Sequence, residues 1–165
     1  MLALVLLTHA LAVTDDRFGV TVDLSAGLGR ELNKWTGVGR VDSVFWWGPY
    51  DPDYILGRYN GLGIDVVSTF GPSTGGRALL EYRRGVDLIV VGWHVAMSAG
   101  PALAPTGEIG ASGRLAVGAR LRRSATVALS LRLEGGVDSF ASVIDPAGGL
   151  TLGVSFGGPV DGGTE

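Results

Sequence analysis

The sequence predicts an all-β fold, a closed antiparallel up-and-down β-barrel of eight strands, and three observations lead there. Several segments alternate strictly between apolar and small or polar residues, the period-two pattern of an extended chain with one apolar face. The second face of these segments is mostly Gly, Ala, Ser and Thr with a few charges, where a solvated face would carry many more Lys, Glu and Asp. Finally, the 165 residues include 28 Gly, and only 18% are charged against 46% hydrophobic, at a mean hydropathy of +0.33. Gly weakens a strand unless a bend or a crowded interior needs it, and a small closed barrel has both.

Strand one, near 17–31, is "RFGVTVDLSAGLGR", with Phe18, Val20, Val22, Leu24, Ala26 and Leu28 opposing Gly19, Thr21, Asp23, Ser25, Gly27 and Gly29. Strands two to four, near 36–47, 53–69 and 77–84, have the least definite boundaries. Strand five, near 86–101, contains "VGWHVAMSAG", where Val91, Trp93, Val95, Met97 and Ala99 oppose Gly92, His94, Ala96, Ser98 and Gly100. Strands six and seven, near 111–122 and 126–138, form a hairpin. Leu115, Val117, Ala119 and Leu121 share a face with Val127, Leu129, Leu131 and Leu133, while Arg120, Arg122, Arg132 and Glu134 lie on the other. Opposed residues must then have numbers of equal parity, so the turn holds an odd number of residues, and Arg123-Ser124-Ala125 is the natural choice. That register sets Leu121 opposite Val127, and Arg114 opposite Glu134 as a cross-strand pair of opposite charge. Strand eight, near 148–157, contains "GLTLGVSF", where Leu150, Leu152, Val154 and Phe156 oppose Thr151, Gly153 and Ser155.

Apolar runs such as "LALVLL" and "LIVV" fall far short of the roughly 18 residues of a membrane-spanning helix. A membrane location therefore requires a closed barrel, because only helices and barrels satisfy every backbone hydrogen bond in lipid. Each membrane strand needs about 9 to 11 residues, and residues 13–157 accommodate eight of them. Residues 1–12, "MLALVLLTHALA", read as an export signal with a small-x-small cleavage site at Ala10-Leu11-Ala12; the missing positive n-region suggests that its upstream start has been lost. Residues 158–165 form a polar C-terminal tail.

An even strand count returns the chain to the side on which it began. Short turns are then expected after strands two ("GPYDPDY"), four ("RRG", 83–85) and six ("RSA", 123–125), with "GPSTGGR" (71–77), "APTGEIG" and "SFASVIDPAG" as longer loops facing outward. Trp35, Trp46, Trp47, Tyr50, Tyr54 and Phe140 fall near predicted strand ends, the level at which amphipathic rings suit a membrane interface. With its signal-like start, alternating strands and final "GGLTLGVSF", the chain resembles over nearly its whole length the small eight-stranded outer-membrane β-barrels of double-membraned bacteria. That family typically ends on an aromatic residue, whereas here Phe156 is followed by "GGPVDGGTE". The resemblance implies an outer-membrane location, outer-membrane lipid as surroundings and the barrel-assembly machinery as partner during insertion.

Candidate chemistry is sparse. Thirteen Lys and Arg against sixteen Asp and Glu give no basic surface for nucleic acid, and the absence of Cys excludes disulfides and thiolate metal sites. His94 is the only His outside residues 1–12, which excludes a multi-histidine metal centre. In "HVAMS", His94 and Ser98 share a face but stand about 13 Å apart at roughly 3.3 Å per residue, too far for a base to activate a hydroxyl. "GPSTGGR" lacks the Gly-Lys-Ser/Thr ending of a phosphate loop. No catalytic residue, metal site or cofactor is therefore expected, and the chain is not expected to be an enzyme.

Asp23, His94, Arg114, Arg120, Arg132 and Glu134 all point to the face assigned to the lumen. An eight-stranded interior is only wide enough for side chains to fill it, so these residues are expected to form a charge-paired plug rather than an ion pathway. The function expected is a structural or surface-contact role through outward loops, toward an extracellular ligand that the sequence does not identify. The alternative is a soluble, exported, lipocalin-like barrel that encloses an apolar ligand. It requires the Leu and Val face to be the interior.

Overall fold

A computed structural model of the chain describes residues 16–31, 34–49, 57–71, 74–88, 90–124, 126–141 and 143–159. The described residues form β1 (Asp16–Glu31), β2 (Lys34–Pro49), β3 (Gly57–Phe70), β4 (Gly75–Asp87), β5 (Val91–Leu103), β6 (Ile109–Arg122), β7 (Val127–Ser139) and β8 (Ile144–Pro159). Each strand pairs antiparallel with the next, and β8 pairs with β1 to close the barrel. Stepping from partner to partner, Val20, Phe45, Leu62, Tyr82, Met97, Leu115, Gly135 and Gly148 lead back to β1 at Arg30, ten residues beyond the start. This stagger tilts the strands by about 40° to the barrel axis. At 13 to 16 residues, the strands exceed the 9 to 11 that a tilted strand needs to cross a bilayer.

The alternation predicted for β1 and β5–β8 places each face where the membrane reading requires it. Leu115, Leu133 and Leu152 are 66%, 61% and 65% exposed on the outside, whereas Asp65 and Glu81 are wholly buried inside. This polarity overturns the lipocalin-like alternative, whose apolar face must be the interior. In β2–β4 the same rule holds: Thr36, Val38, Arg40, Asp42 and Val44 point inward, as do Tyr59, Asp65, Val67 and Thr69, and Arg77, Leu79, Glu81 and Arg83.

The expected register of the β6–β7 hairpin is corrected by two residues. Leu121 faces Leu129 and Arg114 faces Gly136, so the Arg114–Glu134 cross-strand pair does not form. The turn is longer than Arg123-Ser124-Ala125: Arg122 faces Ala128, and the Arg123 and Ser124 amides both donate to the Val127 carbonyl, at 2.9 and 3.1 Å. The Ser124 hydroxyl oxygen accepts from the amides of Thr126 and Val127 and so caps a turn that contains no Gly. Parity is kept, because a slip of two leaves every side chain on its own face.

Two further connections differ from expectation. "RRG" is no turn: Arg83 and Gly85 lie inside β4, and the β4–β5 connection is 88–90, where the Leu88 amide donates to Val91 O at 2.8 Å. A Cβ on Gly85 would stand 2.7 Å from the Tyr59 ring, so this Gly provides the seat of an aromatic side chain instead of a bend. The loops expected to be long and outward are short: 71–74, 104–108 and 140–143, with Gly75, Gly76 and Arg77 of "GPSTGGR" inside β4. In the 104–108 connection Gly107 has a φ of +85°, which suits a residue without a Cβ, and its amide donates to Ala104 O.

Among the aromatics, Trp47 lies on the outside with Phe45 and Phe18, while Trp35 is 69% exposed at the other end. Trp46 is corrected to the interior, where its indole N–H donates to Thr21 Oγ1 at 3.1 Å and its ring meets the edge of Tyr59. Phe140 sits in the β7–β8 connection. Tyr50, Tyr54, the expected export signal at 1–12 and most of the expected polar tail at 158–165 lie outside the described residues.

Close strand approach makes a specific prediction. A Cβ on Gly27 would fall 1.9 Å from the Leu150 carbonyl oxygen, whereas one on Gly135 would meet nothing within 4 Å. Gly27→Ala should therefore lose about 1–3 kcal/mol to overpacking, while Gly135→Ala should be neutral or gain about 0.4–1 kcal/mol through a less flexible unfolded chain. Reversible urea unfolding in detergent or lipid reads both, and equal effects would contradict the strand spacing described.

A lumenal ion-pair lattice as the candidate functional site

Alternation on eight strands delivers charged side chains into one narrow interior, and three of the strands contribute opposite charges two residues apart: Arg40 and Asp42 on β2, Glu81 and Arg83 on β4, Arg132 and Glu134 on β7. Residues i and i+2 share a face, so each strand presents a ready-made pair to its neighbours across the lumen.

Arg132 lies at the centre of the resulting lattice. Its guanidinium meets Glu81 at 2.6 Å, Glu134 at 3.5 Å, Asp65 at 3.6 Å and Asp42 at 3.8 Å. Arg83 bridges Asp42 and Glu81, the latter at 2.6 Å, and Arg40 bridges Glu134 and Asp65, the latter at 3.1 Å. These seven side chains are all at least nine-tenths buried. Burying charge is expensive unless each group is paired, and here each carboxylate has at least two guanidinium neighbours.

A second cluster lies nearer the 104–108 and 140–143 connections. Asp138 accepts from Arg77 Nη2 at 2.7 Å and from Arg114 Nη2 at 2.6 and 2.7 Å, while Arg77 also reaches Glu31. A shallow recess above it is lined by Glu31, Arg77, Asp138, Phe140 and Asp145. Asp23 faces Asp42 of the central lattice across β1 and β2 and accepts a hydrogen bond from the Ser155 hydroxyl.

All six sequence-predicted residues therefore occupy lumenal positions, but they do not form one cluster. Arg132 and Glu134 belong to the central lattice, Arg114 to the second cluster and Asp23 to a separate bond. Arg120 is half-buried and joins no ion pair among the described residues. His94 is buried with its ring over Gly118, where a Cβ would approach the imidazole to 2.3 Å. Among the described residues neither His94 nitrogen nor the Ser98 hydroxyl makes a hydrogen bond, so the two do not form a base–nucleophile pair. Sequence reasoning missed Arg40, Asp42, Asp65, Arg77, Glu81, Arg83 and Asp138. The signal was the charge pairs at i, i+2 in β2 and β4, which the imprecise boundaries of strands two to four and the "RRG" turn concealed.

Among the described residues no group of three or more His, Cys, Asp and Glu has an arrangement suited to holding a metal ion. The arrangement ties strand to strand across the interior. A double-mutant cycle tests the pairing: Arg114→Ala with Asp138→Ala should show a coupling of about 0.5–3 kcal/mol. The Arg114 and Glu134 cycle should give a far smaller one. Equal couplings in the two cycles would restore the register expected from the sequence.

No protein-family model and no curated protein sequence matches the chain. Among solved structures, the chain is similar to the N-terminal β-barrel domain of Pseudomonas aeruginosa OprF, at a TM-score of 0.50 and 10% identity, over 84% of this chain and 96% of that one. It is also similar to the Neisserial surface protein A, at 0.49 and 10% identity, with the same coverage of each chain. A closed antiparallel barrel of eight strands is the fold that this chain shares with the small outer-membrane β-barrels.

Proposed function

We propose that the chain is a membrane-spanning barrel of a bacterial outer membrane that acts as a structural element, closed to ions and without catalytic activity. The observation that carries this reading is the reversed polarity of the sheet: apolar side chains cover the outside and the buried charges are inside. A soluble barrel so built would leave a belt of Leu, Ile, Val and Phe in water, far beyond the few hundred Å² of apolar patch usual on soluble monomers. Outer-membrane lipid is then the main partner, and the barrel-assembly machinery the transient one during insertion. Extracellular contact through long loops has little support, since the described connections opposite the chain ends are only 71–74, 104–108 and 140–143. Closure to ions is supported by the lattice around Arg132, which sets paired charge across the lumen instead of leaving one sign to line a channel.

Fractionation and conductance test this reading together. The chain should sediment with outer membranes, require detergent for extraction, and give no conductance steps in planar bilayers. Leu152, central on β8 and 65% exposed, should not tolerate charge: Leu152→Arg should cost about 2–4 kcal/mol of folding stability in lipid. Recovery of a monodisperse soluble monomer without detergent would refute the membrane reading, and steady single-channel currents would refute the plug.

A further inference from the structure

Two basic residues stand on the outer face of adjacent strands near one end of the barrel. Every acidic residue in the strands from Asp23 to Asp145 occupies a lumenal position, whereas Arg58 and Arg84 point outward and are exposed on neighbouring strands. Asn60 faces Arg84 and Val86 faces Arg58 across β3 and β4, so the two arginines are diagonal neighbours, within reach of one ligand. Tyr82, on the same face, donates its hydroxyl to Asn60 Oδ1 at 2.9 Å. Trp47 lies beside Asn60 on β2, and Trp93 beside Val86 on β5. Among the described residues neither arginine makes an ion pair or a hydrogen bond. Because Asp51 and Asp53, in the connection leading to Arg58, lie outside the described residues, Arg84 is the anchor.

A guanidinium on a lipid-facing strand is costly unless it reaches an interface and finds an anion. Arg84 is three residues from the end of β4, within an aromatic surround suited to that level. Two planar donor forks fit phosphate oxygens better than any other group a bilayer offers. We propose that Arg58, Asn60, Tyr82 and Arg84 form an outward-facing site for the phosphate of an anionic phospholipid headgroup, at the membrane interface nearest the start of β1 and the end of β8. This rests on the membrane-spanning reading above.

The test uses the whole chain reconstituted in phosphatidylcholine vesicles doped with brominated phosphatidylglycerol or brominated phosphatidylcholine, read by quenching of tryptophan fluorescence. Both lipids should quench, with phosphatidylglycerol preferred. That preference should fall about fivefold for each arginine removed in Arg58→Gln and Arg84→Gln, the loss expected per basic residue at an anionic surface. Arg84→Lys should retain part of it. Quenching by both lipids without preference, or a preference that survives the double variant, would overturn the site while leaving the membrane reading intact. Absence of quenching by either lipid would overturn both.

Discussion

Closure with a stagger of ten residues is the constraint on which the rest of the molecule depends. It sets an interior only wide enough for side chains, so each inward position must be matched to what stands opposite. Where strands or rings approach too closely the residue is Gly, as at Gly85 beneath Tyr59 and Gly118 beneath His94. Elsewhere the interior carries guanidinium and carboxylate groups that pair with one another. Tilt, strand length and the small-residue character of the inner face all follow from that geometry.

The charges inside do more to define the structure than to stabilise it. Buried ion pairs often roughly balance their own desolvation cost, and apolar residues of similar volume could fill the same space. Alternation, however, cannot distinguish two registers that differ by two residues, because both leave the apolar side outside. The β6–β7 hairpin illustrates the point: a pairing of Leu121 with Val127 satisfies the pattern as well as the observed pairing with Leu129. The observed register seats Arg114 against Asp138 and leaves Glu134 for Arg40. Specific charge partners and specific ring seats thus discriminate between registers that the hydrophobic effect treats alike.

The same arrangement bears on function. On the proposed structural role, a lumen lined with opposite charges offers no single-sign path for an ion, and among the described residues His94 and Ser98 form no base–nucleophile pair. Short connections at 71–74, 104–108 and 140–143 give little surface beyond the barrel wall. On the proposed membrane reading, the outer wall is the surface that meets lipid, and outward Arg84 stands where hydrocarbon gives way to headgroups.

Local periodicity, with the low charge of the second face, determined the fold class and the inward face of β1 and β5–β8, because a strand's two faces are set by residue parity and need no knowledge of the neighbouring strand. It also placed Asp23, His94, Arg114, Arg120, Arg132 and Glu134 in the lumen. Only the closed tertiary structure decided which of them meet. Partners such as Arg40 and Glu134, or Arg77 and Glu31, come from strands far apart in sequence, and their distances depend on the stagger accumulated around the whole ring. The turns show the same division: "RRG" has turn-like composition, yet Arg83 is held in β4 by Asp42 of β2, and Gly85 by the Tyr59 ring of β3, contacts that exist only once β2, β3 and β4 are assembled.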